Sequence, residues 1–177
     1  MKKITWAVGL LVLILFVLFF GGQLLERLPF SNQVANQDSR VQAEEVLTTF
    51  FRFLNEGNYN EAVKYFEVGG PGLDNGWEDF SIFSPPEDRG DKAKMLENYC
   101  RAVTTCDLRL TIKDSEEVAP DEFEFMVNFL DSEGEVFVLG PCCGATEEEM
   151  PPTKTFKFLV KEVDGEFKVK TPPVYIP

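Results

Sequence analysis

Four cysteines offer the plainest chemistry in this chain of 177 residues: Cys100, Cys106, Cys142 and Cys143. Thiols form disulfides in oxidising compartments, exchange as redox pairs, or bind soft metals as thiolates. The last two are adjacent, in Gly140-Pro141-Cys142-Cys143-Gly144. An even set favours two structural bridges, and four cysteines leave three connectivities open. The expected scaffold ties Cys100 and Cys106 to the Cys142–Cys143 loop. A Cys142–Cys143 redox pair, or a soft-metal thiolate site, is the sharper alternative. The spacing lacks the paired C-x-x-C knuckles of closed zinc sites, so no metal or other cofactor is expected.

The acids come next. Asp74, Asn75, Glu78 and Asp79 cluster around Gly76 and carry oxygen ligands suited to calcium. They lack the twelve-residue loop spacing of a dedicated calcium site. Glu147, Glu148 and Glu149 form a run that reads as a solvated loop. The chain has no histidine, which excludes a histidine-based triad or general base. It also has no glycine-rich phosphate loop and no serine-nucleophile elbow. A net charge of −13 argues against nucleic acid, whose phosphates need a basic face. Among 17 phenylalanines and the other aromatics, Phe50, Tyr59, Trp77, Phe80 and Tyr99 are the candidates for a pocket or an interface.

These groups must be positioned by the elements around them. Lys2 and Lys3 precede an uncharged run from Ile4 to Leu25. As a helix the run spans about 33 Å, which matches a hydrocarbon core of about 30 Å. A cleaved signal peptide has a shorter apolar core and a small-x-small site, and no such site follows here. Residues 1–3 therefore read as a cytoplasmic stub and 4–25 as an uncleaved transmembrane signal anchor. Residues 26–39 read as a linker, and 40–177 as an extracytoplasmic domain. The flanking lysines set this orientation, which places the domain outside the plasma membrane of what reads as a bacterial cell. Of the 30 acidic residues 28 follow Asp38, with 14 of the 17 basic ones. An anionic lipid surface would repel that domain, so the bilayer is met through 4–25 alone.

Ser39 and Gln42 have capping-box spacing, which predicts a helix from there through Val46, Leu47, Phe50, Phe51 and Leu54 to a stop at Gly57. Asn58 and Glu61 repeat the spacing before a short second helix. Trp77, Phe80, Ile82 and Phe83 predict a short strand or a covering loop. Leu96, Tyr99, Cys100 and Val103 share one side of a third helix begun at Asp91. The period then changes to two in Leu108–Lys113, Phe123–Phe129, Glu135–Leu139, Phe156–Lys161 and Phe167–Val169. Gly134 and Asp164-Gly165 mark turns. Helices followed by a strand meander predict an α+β fold, with one sheet face on the helices and the other in solvent.

The run from Val46 to Phe66 contains Asn55-Glu56-Gly57-Asn58-Tyr59-Asn60-Glu61-Ala62. It resembles the opening helix pair of nuclear-transport-factor-2-like domains. That resemblance implies a cone of helices wrapped by a curved antiparallel sheet over about residues 40–171. The superfamily holds isomerases, dehydratases, transport factors and assembly subunits, so a fold of this kind leaves function open. With no catalytic motif, the chain reads as a binding module for a partner protein, a sister copy or a small apolar ligand. A cone-pocket enzyme acting on a small hydrophobic carbonyl compound is the alternative.

Overall fold

The computed structural model describes residues 30–69, 73, 75–141 and 143–174. The chain divides into a unit ending at Asp38 and a second unit, Ser39–Pro177. The anchor expected at 4–25 lies outside the described residues. Among those described, no helix is long and apolar enough to cross a membrane.

The first helix, α1, runs Phe30–Asn55. Ser39 therefore lies inside it and is not its cap, and residues 30–39 are helix where a linker was expected. The reason is that no glycine or proline stands between Pro29 and Gly57, so nothing interrupts the backbone ladder. Gly57 ends the helix at φ 68, a conformation glycine adopts without steric cost. The amides of Gly57 and Asn58 donate back to the carbonyls of Leu54 and Phe53. Asn58 then caps α2, Tyr59–Ala62, by accepting from the Glu61 amide.

Residues 77–83, expected as a short strand or a covering loop, form helical turns. Helix α3 spans Trp77–Phe80, with 3-10 turns at Ser81–Phe83 and Pro86–Asp88. Helical spacing lets Phe80 enter the core with no exposure while Ile82 points out at 72%. Helix α4, Lys92–Arg101, is capped by Asp91, whose carboxylate accepts from the amides of Ala93 and Lys94.

Four strands follow: β1 Arg109–Ala119, β2 Glu122–Leu130, β3 Phe156–Val163 and β4 Glu166–Val169. They pair antiparallel in the order β1-β2-β3-β4. The expected turn at Asp164-Gly165 forms, with φ 54 and 85. Glu135–Leu139 contributes only isolated bridges, Leu130 to Val136 and Leu139 to Thr153. Pro141 follows that segment, and Pro151 and Pro152 precede its bridge partner Thr153; each lacks a backbone donor, which limits the ladder.

One sheet face is apolar. Phe123, Phe125, Val127 and Phe129 of β2 are buried, as are Phe156, Phe158 and Val160 of β3. Phe51 of α1 lies over them, 5.2 Å from the Phe129 ring and 5.0 Å from that of Phe158. The other face carries ion pairs, Lys157 with Glu124 and Lys161 with Glu122. The two sheet edges are treated differently. Residues 66–69 cover β4, with the Glu67 amide donating to Val169 and that of Gly69 to Lys170. On β1, two bulges interrupt the register, at Lys113 and Val118.

Candidate functional site

Most of the aromatic candidates enter the core. Phe50 is fully buried and stacks on Phe66 at 5.1 Å. Trp77 and Phe80 both pack against Phe66, and Phe80 lies 4.6 Å from Tyr99. Phe50, Trp77, Phe80 and Tyr99 thus join one ring cluster, centred on Phe66 and Phe80. The Tyr99 hydroxyl donates to the Pro173 carbonyl at 2.7 Å, and Thr105 donates to that of Val174. Tyr59 is half-buried at the start of α2. Burial, then the charges of Asp107 and Glu97, raise its phenol above the ordinary value.

The thiols part company. Helix α4 ends at Arg101, and the 3-10 turn Thr104–Asp107 folds back beneath it. Cys100 and Cys106 are therefore bonded to each other, with Cα atoms 5.5 Å apart, a separation that suits a bridge. This corrects the expected scaffold: neither cysteine reaches the Gly140–Gly144 loop. Cys142 lies outside the described residues, and Cys143 is exposed at φ 60.

Asp74 of the calcium candidates also lies outside the described residues. Both carboxylate oxygens of Asp79 accept from Asn75, one from its amide at 3.0 Å and one from its side chain at 3.1 Å. Those bonds hold the Asp79 carboxyl below the usual range. Among the described residues no three metal-ligating acids or thiols gather. Glu149 turns back onto Thr146, as a loop acid does.

What the structure adds is a half-open groove of about 320 Å³ between α1 and β1. Its apolar wall is Phe51, Leu108 and Leu110, and Thr48, Arg52 and Asn55 line the helix side. Arg109 contributes a second guanidinium. Arg52 is shared with Glu56 at 3.3 Å and lies over the Phe53 ring. Arg109 makes a long bond to the Asp131 carbonyl, 3.5 Å. Among the described residues no carboxylate comes within ion-pair distance of it. The sequence reading missed this groove because its walls lie more than fifty residues apart. The one available signal was an arginine at the head of an alternating strand.

Compared with known protein families, characterised proteins and solved structures, the chain matches none.

Proposed function

We propose that this protein is a membrane-anchored extracytoplasmic binding module, held in a lipid bilayer by residues 4–25 and engaging a partner protein through its α+β domain. The observation that carries the reading is the filled interior. Phe50, Phe51, Phe80, Phe123, Phe125, Phe129 and Phe158 are fully buried. Among the described residues the buried polar side chains are Ser84 and Thr105. A cone-pocket enzyme needs a positioned acid or base at the floor of a cavity. Among the described residues no carboxylate is buried, and the groove beside α1 and β1 is half open to solvent.

The cone itself belongs to this proposal. The Gly57, Tyr59, Glu61, Ala62 turn between two helices, ahead of an antiparallel meander, supports a nuclear-transport-factor-2-like reading. The uncharged Ile4–Leu25 run after Lys2 and Lys3 supports the anchor and its orientation.

The test is site-specific photo-crosslinking of the full chain in the cell that makes it. A crosslinker placed in turn at Thr48, Val118 and Val138 should yield a discrete protein adduct from at least one position. Turnover of a small carbonyl compound by the purified chain, with no adduct at any position, would overturn the reading.

A further inference from the structure

We propose that the groove between α1 and β1 takes a short extended peptide segment of a partner protein, one that carries an acidic side chain and pairs with β1 as a fifth strand. This rests on the binding reading above and names the surface and the chemistry.

The backbone supplies the first argument. The Phe137 amide donates to the Phe129 carbonyl, so Phe129 directs its polar backbone groups away from β1. Leu110 is opposite Phe129. In an antiparallel ladder such a pair exchanges no hydrogen bonds, and each member points its N–H and C=O outward. Leu110 therefore presents a donor and an acceptor at the outer edge of the sheet, beside the groove that its own side chain lines. Among the described residues neither group has a partner. An open strand edge next to a helix is a template for strand addition.

The side chains supply the second argument. Phe51, Leu108 and Leu110 offer an apolar wall for alternate side chains of an added strand. Arg52 and Arg109 stand at the same groove, in a chain whose acids outnumber its bases by 30 to 17. A guanidinium without a carboxylate neighbour, set in such a chain, selects for an acid on the incoming segment.

Length and charge then select the occupant. The bulge at Lys113 breaks the register before pairing resumes at Asp114, so the regular stretch beside the groove is Leu108–Ile112, about 17 Å at strand rise. Bulges of this kind stop an edge from extending into long intermolecular sheets. A second copy aligned over the same stretch would bring Arg52 and Arg109 against their own counterparts, a like-charge meeting. A short acidic segment from another protein avoids both obstacles.

The experiment uses the full chain in mild detergent and two fluorescein-labelled octapeptides. Both alternate valine and threonine; one has a central aspartate and its twin a central lysine. Anisotropy should show saturable binding of the aspartate peptide, about tenfold tighter than its twin. The double variant R52Q/R109Q should bring the two peptides within about threefold of each other. Leu110→Pro removes an outward amide without touching the β1–β2 ladder, a change edge strands tolerate. It should weaken both peptides about tenfold. Amide hydrogen exchange on the wild-type chain supplies a readout independent of that variant's folding, with protection expected at Leu110 when peptide is bound. Equal affinity for the two peptides, unchanged binding to L110P, or no binding at all overturns the inference. Protection elsewhere but not at Leu108–Ile112 overturns the groove alone and leaves the binding role standing. Turnover of a small carbonyl compound, with no photo-crosslinked adduct at any position, removes that role itself.

Discussion

Asn98 shows how much one amide can organise. Its side chain donates to Asp88 at 2.9 Å, and this bond, with help from Lys94, holds the Asp88 carboxyl below its usual range. A carboxylate depressed on folding adds stability above its unfolded titration range, and that stability is lost as pH falls through the folded value. Asn98→Ala should therefore move the Asp88 titration upward, toward the ordinary aspartate value, and flatten the acid limb of stability near that range. A carbon-detected NMR titration of the carboxyl checks it; an unmoved curve would show that Asn98 does not govern this acid. Single residues were unevenly legible in the sequence. The positive-φ turn at Asp164-Gly165 could be read directly, because few residues adopt that backbone. The partner of Asn98 could not, since ten positions and two turns separate it from Asp88.

At the scale of elements, the disulfide shows both what a sequence reveals and what it hides. Cysteine parity pointed to bridging, but pairing depends on where a helix stops. Helix α4 stops at Arg101, the 3-10 turn brings Cys106 under Cys100, and both sulfurs are buried. Closing so short a loop stabilises the fold by about 2 kcal/mol in the chain-entropy account. C100A/C106A should lower the stability read from a urea midpoint by about that amount. A peptide map should find Cys100 joined to Cys106. A map joining either to Cys142 or Cys143 would contradict the structure. The start of α1 was misread for the opposite reason: a capping pair at Ser39 and Gln42 resembles a beginning, yet a helix continues wherever no breaker stands. Residues 77–83 were read as a short strand or a covering loop because Trp77, Phe80, Ile82 and Phe83 have strand propensity. Burial of Phe80 against Phe66 and Tyr99 overrides it, as tertiary packing commonly does.

The unit from Ser39 onward packs an aromatic layer between α1 and the sheet. Phe158 is fully buried, faces Phe125 across the ladder and meets Phe51 edge-on. Phe158→Ala should cost about 3–5 kcal/mol. It should do so in a single transition, because α1, β2 and β3 all lose contacts at once. Calorimetry checks this, and two resolved transitions would mean that helix and sheet unfold separately. The α+β class and the meander were legible because a period of two marks half-buried strands wherever it occurs. The groove was not, since it exists only where a helix passes an unpaired edge.

The tail of the chain carries a consequence for synthesis. Tyr99 and Thr105 hold the carbonyls of Pro173 and Val174, and residues 66–69 lie along Val169 and Lys170. A ribosome makes the helices first and these partners last. Phe50 meets Phe66 early, but Phe51 waits for Phe129 and Phe158, and Tyr99 and Thr105 wait for Pro173 and Val174. Contacts this distant in sequence make the closing of the unit a late and cooperative event, set by residues 156–174 rather than by the helices that precede them.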